Sequence, residues 1–163
     1  MQTKFLYLTR HAQAEPYTYG KDDYSRHLIE EGLKKTHSIG DKLKKCFDNH
    51  DEIKIISSTA TRAKETSKIL SHILGVKEGQ IEWNENIYEA SIHELMQIIN
   101  KVDESTHHLL IVGHNPSISN LCDYLCNAHT NLNAAETAVI ALPDELNFNM
   151  LSKGLGTLQH IIH

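Results

Sequence analysis

The stretch KFLYLTRHAQAE, residues 4–15, opens as a strand and closes on two cation-capable side chains. Lys4 to Thr9 is rich in aromatic and aliphatic residues, the composition of a pleated, half-buried segment. The apolar run then stops at Arg10-His11. One Arg-His pair at a strand end is most simply a solvated terminus, so its meaning depends on what the rest of the chain places beside it.

Working outward, the chain alternates strand-like and helix-like segments. A loop with Pro16 and Gly20 follows the first strand, and Leu33, Ile39, Leu43 and Phe47 mark the inner face of a helix. Ile53 to Ile56 reads as a short buried strand ending in Ser57-Ser58. A helix over Ala60 to Leu74 stops at Gly75, a C-terminal cap. Ile81 to Trp83 reads as another short strand. Ile92, Leu95, Met96, Ile99 and Val102 recur at helical spacing and suit a core, and Leu109 to Val112 is the next buried strand. Asn115-Pro116 opens a further helix, with Asn as N-cap and Pro in the first turn. Ile118, Leu121, Cys122 and Leu125 give that helix its apolar face. Thr137 to Leu142 and Leu155 to Ile162 complete the strands. This alternation predicts an α/β layered fold, and the lack of repeats and linkers predicts one domain over residues 1–163.

Composition removes several classes of function. The chain of 163 residues is 40% hydrophobic and 23% charged, ordinary values for a globular protein. Its net charge of −5, with the basic residues scattered, argues against a nucleic-acid partner. No apolar run reaches membrane-spanning length and the N-terminus lacks a signal-peptide pattern, so no membrane partner and a cytoplasmic location are expected. Three cysteines fit a reducing compartment. Cys122 and Cys126 stand one helical turn apart, which suits packing rather than zinc. The 12 histidines are dispersed and form no HExxH or paired Cys/His pattern, so no metal site is expected. His107 and His108 point to opposite faces of a strand, and His160 and His163 fall at a frayed C-terminus.

The chemistry collects at three strand ends, where open α/β sheets gather ligands. The first ends in Arg10-His11. The second ends in Ser58, with Arg62 and Thr66 on the helix that follows. A later one ends in Gly113-His114-Asn115-Pro116. Arginine presents forked donors to phosphate oxygens, and helix N-termini favour anions, so this set suits a phosphoryl group. Taken singly, the Ser-Arg pair reads as a capped helix with a surface arginine, and the Gly-His-Asn-Pro run as a turn.

The segments LTRHAQA, SSTATRAKETS, IYEAS and VGHNP together resemble the histidine phosphatase, or phosphoglycerate mutase-like, superfamily. The short length and the segment SRHLIEEG look most like its SixA-type phosphohistidine phosphatases. Arg26, Leu28 and Gly32 match that segment, whereas His27 replaces a proline and Ile29 replaces a hydroxyl residue that would cap the helix. The resemblance implies a three-layer sandwich with a mostly parallel central sheet flanked by helices. It implies His11 as the nucleophile that is transiently phosphorylated, with Arg10, Arg62 and His114 holding the phosphoryl oxygens. Glu89 falls where many members place a proton donor, though it is also placed to cap the helix near Ser91. Arg26, and with it Asn115, falls at the substrate rim. The family has glycine after the histidine and this chain has Ala12. A positive φ there would strain alanine by about 1 kcal/mol or more, and its methyl would crowd the phosphate.

These roles make chemical sense. Neutral imidazole, with an unperturbed pKa of about 6.5, is a competent nucleophile near neutral pH. Adjacent arginines disfavour its protonated form and stabilise charge on the transferring group. The expected activity is therefore a metal-independent, cofactor-free phosphatase working in two in-line steps. The expected substrate is phosphohistidine on a protein, such as a histidine phosphotransfer domain. A small phosphorylated metabolite is the alternative substrate, and a non-catalytic phosphate-binding module the alternative class. Only one helix and one strand fit between Glu89 and Gly113, so no long lid insertion is expected, which leaves room for a bulky substrate.

Overall fold

In the computed structural model, which describes residues 2–163, β1 spans Phe5–Arg10 and lies inside a six-stranded sheet. Leu6, Tyr7, Leu8 and Thr9 are all buried, because both faces of this strand are covered. The remaining elements are α1 (Glu30–Lys44), β2 (Ile53–Ser57), α2 (Thr61–Leu74), β3 (Glu82–Trp83), α3 (Ile92–Asn100), β4 (His108–Gly113), α4 (Ser117–Cys126), β5 (Thr137–Ala141) and β6 (Thr157–Ile162).

The strand order is β3-β2-β4-β1-β5-β6. β3, β2, β4 and β1 run parallel, and β5 is antiparallel to both β1 and β6. The fold is thus α/β with a mixed, mostly parallel sheet. On one face, Leu6, Leu8, Ile56, Leu109 and Ile111 pack with Leu95, Ile99, Ile118 and Leu121 of α3 and α4. On the other, Tyr7, Ile55, Leu110 and Val112 pack with Ile39, Leu43, Ala63 and Leu70 of α1 and α2. Period-2 alternation along each strand feeds both layers, which produces the three-layer sandwich.

The register explains the site. Arg10 pairs with Gly113, and Ser57 with Val112, so β1, β2 and β4 end at one level. The residues just beyond them, His11, Ser58 and His114, emerge side by side. Gly75 caps α2 with φ of 77°, as its position after Leu74 predicts.

Several local expectations are corrected. α1 stops at Lys44, so Phe47 lies beyond it, and Leu33 is 39% exposed. Its buried face is Gly32, Thr36, Ile39, Gly40 and Leu43, since small residues let α1 lie close to its neighbours. α4 begins at Ser117 with Pro116 at the cap, one residue later than Asn115. Asn115 still serves the helix start, because its Oδ1 accepts from the Ser119 N–H at 3.3 Å. The C-terminus is not frayed: β6 pairs with β5 through Ile162, and His163 Nδ1 meets Glu136 Oε1 at 3.0 Å. No helix among the described residues is long and apolar enough to cross a membrane.

Candidate active site

His11 leaves β1 held by its own neighbours. Its backbone N–H donates to Gly113 O at 2.9 Å, and its Nδ1 lies 2.7 Å from Ala12 O. A carbonyl can only accept, so Nδ1 carries the proton and Nε2 keeps its lone pair. That lone pair accepts from Arg62 Nε at 3.3 Å. Burial, first, and then the charges of Arg62, Arg10 and Arg26 push the His11 pKa down to about 4, against the opposing Ala12 hydrogen bond. The ring is neutral at pH 7.

Ala12 is compatible with this geometry. It is absent from the positive-φ residues, and its side chain is fully buried in the core beneath α1 and α2 rather than crowding the pocket. Its N–H donates to Thr66 Oγ1 at 3.0 Å, and Thr66 Oγ1 donates to Arg62 O at 2.8 Å. Thr66 thereby ties the loop after His11 to the turn of α2 that carries Arg62.

Arg62 is 5% exposed and uses its whole fork. Beyond Nε, its Nη1 donates to Asp23 O at 2.7 Å and its Nη2 to Asp23 Oδ2 at 3.1 Å. His114 follows β4, with its ring centroid 5.0 Å from that of His11. Its Nε2 lies 2.7 Å from Ser58 Oγ, which itself accepts from the Ala60 N–H at 3.2 Å. Nε2 is the one acceptor within reach of the Ser58 hydroxyl proton among the described residues, so the tautomer that satisfies Ser58 has the hydroxyl donating to Nε2 and the N–H on His114 Nδ1. Burial, followed by the charge of His11 and Arg62, lowers the His114 pKa to about 3. Arg10 Nη1 donates to Leu132 O at 3.0 Å. Two buried donors, Arg10 Nε and His114 Nδ1, have no hydrogen-bond partner among the described residues. Unpaired buried donors are costly, and an anion offers what both lack.

The other expected residues divide. Arg26 joins the cluster: its Nε donates to Asp23 Oδ1 at 2.9 Å, its Nη2 pairs ionically with the same oxygen at 2.8 Å, and its Nη1 donates to Glu15 O at 2.6 Å. Asn115 supports the scaffold, since its Nδ2 donates to the same Leu132 carbonyl that Arg10 uses, at 2.9 Å. Glu89 is exposed and does not cap α3. Ser91 and Glu94 form that cap reciprocally, at 3.2 and 2.7 Å.

Two residues that the sequence reading gave no role complete the site, Tyr88 from within the IYEAS segment and Asp23 from outside any quoted segment. Tyr88 donates its hydroxyl to Asp23 Oδ2 at 2.5 Å, and its ring lies edge-on to His114 at 5.5 Å. Asp23 thus bonds both arginines and Tyr88. The Tyr88 bond, ahead of Arg62 and Arg26, holds its carboxyl below the usual range. The local hint is its position three residues before Arg26, the spacing of an ion pair on a helical turn.

The departures at 27 and 29 have structural outlets. The His27 N–H donates to Glu15 Oε2 at 3.1 Å, a bond proline cannot make, and the Leu28 N–H donates to Glu65 Oε2 at 2.7 Å. Ile29 offers no side-chain cap, and Glu30 and Glu31 place negative charge in the first turn instead. A Cβ at Gly32 would run into the Gln13 carbonyl oxygen, which already accepts from the Ile29 N–H at 3.1 Å. Glycine there lets α1 press on the loop after His11.

A separate cavity of about 330 Å³, lined by His50, Asp51, Lys54, His107 and His108, lies at the opposite ends of β2 and β4 and shares no residue with this site. Among the described residues, no three His, Cys, Asp or Glu side chains gather as a metal-ligand set.

Comparison with known proteins bears on the fold and the family. Uncharacterized protein Rv1276c of Mycobacterium tuberculosis is 31% identical over 118 residues, covering 72% of this chain and 70% of that protein. Among solved structures, a SixA chain from Nakamurella multipartitia superposes with a TM-score of 0.84 at 21% identity, covering 100% of this chain and 97% of that one. The protein histidine phosphatase SixA complexed with tungstate gives 0.78 at 18% identity, covering 97% and 96%. A mycobacterial glucosyl-3-phosphoglycerate phosphatase gives 0.68 at 14%, covering 97% and 98%. At these identities the structural matches speak for the fold. The family model described as histidine phosphatase superfamily (branch 1) matches residues 6–101, more than half of the chain, and the protein belongs to that superfamily.

Proposed function

We propose that this protein is a phosphatase that passes a phosphoryl group to His11 Nε2 and then to water, and that its substrate is phosphohistidine carried on a protein. The observation that carries the reading is the state of His11. Its proton is on Nδ1, its lone pair is on Nε2, and its charged form is disfavoured by burial and three arginines. A resting histidine of this kind is a nucleophile without needing a base.

In the first step the substrate's phosphoryl oxygens replace His11 Nε2 and Asp23 on the Arg62 fork and engage the unpaired donors of Arg10 and His114. Nε2 then attacks phosphorus in line. The Ala12 carbonyl keeps the Nδ1 proton in place, so the phosphorylated ring is cationic and leaves readily when water attacks in the second step. Arginine charge stabilises the transferring group, usually the largest catalytic term, and this chemistry runs without a metal ion. The three free cysteines fit the reducing cytoplasm as its compartment.

A protein substrate is favoured over a metabolite by the short connection from Tyr88 to β4, which holds only α3 and turns and adds no lid. The SixA comparison supports the same choice, and the glucosyl-3-phosphoglycerate phosphatase shows that the fold also serves a small ester. The test is a comparison of kcat/KM on a phosphohistidine-bearing phosphotransfer domain, a phosphoserine peptide and a panel of phosphorylated metabolites, with and without EDTA. The phosphohistidine protein should be preferred and EDTA should have no effect. A metabolite turned over faster would overturn the substrate, and an EDTA loss restored by a divalent ion would overturn the metal-free chemistry.

A further inference from the structure

Asp23 sits at the mouth of the site, in the turn Asp23–Ser25, with its side chain 35% exposed. Its carboxylate accepts three hydrogen bonds, from Arg26 Nε on Oδ1 and from Arg62 Nη2 and Tyr88 Oη on Oδ2, and Arg26 Nη2 stands 2.8 Å from Oδ1 as an ion pair. Each carboxylate oxygen has about two acceptor positions, so Oδ2 has none left over. The Arg62 bond is the exchangeable one, because the same guanidinium also reaches His11 Nε2. Once a phosphoryl group takes the Arg62 fork, Oδ2 regains an acceptor position beside it. One half-buried ring borders that position, and a second packs against the first. Tyr88 touches Oδ2 through its hydroxyl, and Tyr24 meets the Tyr88 ring edge to face at 5.1 Å.

We propose that Asp23, Tyr24 and Tyr88 form a leaving-group subsite that selects a protonated imidazole, the departing half of phosphohistidine. The inference rests on the phosphohistidine reading above and assigns residues to its substrate choice.

The chemistry balances without an acid catalyst. In a protonated phosphohistidine, one ring nitrogen carries phosphorus and the other carries N–H. The His11 Nε2 lone pair forms the new P–N bond. The old P–N bond breaks, its electron pair returns to the substrate ring, and the ring departs as neutral imidazole with its N–H in place. A carboxylate accepting from that N–H favours the cationic, better-leaving ring before the bond breaks. Aromatic rings favour the same cation. An ester offers no such N–H, and its departing oxygen gains negative charge, which Asp23 opposes. The groups facing Asp23 are Arg62 from α2, Arg26 from its own turn and Tyr88 ahead of α3, and these keep it ionised.

The test is the ratio of kcat/KM for a phosphohistidine peptide to that for phenyl phosphate, in wild type, Asp23→Asn, Asp23→Glu and Tyr24→Leu, each checked by circular dichroism. Asp23→Asn should lower the ratio at least about tenfold, the scale of one hydrogen bond to a charged group. It should also move the alkaline limb of the phosphohistidine pH profile about one unit lower, since the substrate ring then loses its proton sooner. Asp23→Glu should restore part of both. Tyr24→Leu leaves the Asp23–Arg62 pair in place and should lower the ratio about threefold. If Asp23 only positioned Arg62, both substrates would fall by one factor and the alkaline limb would stay, which overturns the subsite. A wild type with no preference for phosphohistidine would overturn the substrate reading itself, and this inference with it.

Discussion

Arg62 Nε donates to His11 Nε2 across 3.3 Å, so the donor expected to grip a phosphoryl oxygen also covers the lone pair expected to attack phosphorus. In the proposed reaction, attack by Nε2 on phosphorus requires Arg62 Nε to release it first.

The nucleophile is directly testable. His11→Asn should lower turnover by at least about a thousandfold while the chain stays folded, because covalent catalysis is lost and the residue lies at a strand end. A phosphorylated substrate should label wild type at His11 through an acid-labile, base-stable bond. Equal labelling of His11→Asn, read by mass spectrometry, would reject the assignment.

Lysine cannot replace Arg62, even though it keeps the charge. It lacks the fork that spans His11 Nε2, Asp23 O and Asp23 Oδ2. Arg62→Lys should cost about a hundredfold or more in kcat, and Arg10→Ala a comparable factor. Vanadate, a phosphate-like anion, should inhibit wild type competitively and bind both variants more weakly. Unchanged vanadate inhibition in Arg62→Lys would place the anion elsewhere.

Two neutral histidines, His114 buried and His11 half-buried, set a pH dependence. Their pKa values, about 4 for His11 and about 3 for His114, lie below the unfolded value of about 6.5. Above the unfolded value both are neutral in either state, and their contribution to stability is fully present. As pH falls below about 6.5 the unfolded chain takes up protons first, so stability declines down to the folded values. Tm should drop across this window, and His114→Asn should flatten the drop. Activity should persist to about pH 4–5, since only the neutral ring attacks; an acid limb near pH 6.5 would contradict the half-buried, arginine-flanked state of His11.

Glu89 discriminates substrate classes. Ser91 and Glu94 already cap α3, so removing the Glu89 charge should change stability by no more than about 0.5 kcal/mol. An alkoxide needs a proton on leaving, whereas a protonated imidazole does not. Glu89→Gln should therefore damage alkyl phosphate hydrolysis far more than phosphohistidine hydrolysis. Equal, weak effects on both would remove Glu89 from the reaction.

Much of this molecule follows from local pattern. The buried runs at 5–10, 53–57 and 108–113, the helix stopped by Gly75, and the positions of Arg10, His11, Arg62 and His114 after or near strand ends are all written in short stretches of sequence. Each depends on periodicity or on a residue's preferred backbone region, which act within a few positions. A parallel sheet does the rest for these four, because it brings the carboxyl ends of β1, β2 and β4 to one level.

What local pattern does not contain is the meeting of segments that belong to no common element. Asp23 reaches Arg62 and Tyr88 only because residues 26–29 fold back on the loop after His11. The Ala14–Leu28 bridge, Glu65 and the close approach at Gly32 hold them there. The benign placement of Ala12 depends likewise on its backbone angle and on the core beneath it. A charged side chain in a turn looks the same in sequence whether it faces solvent or two arginines. Only long-range packing sets its neighbours, and its chemistry follows from them.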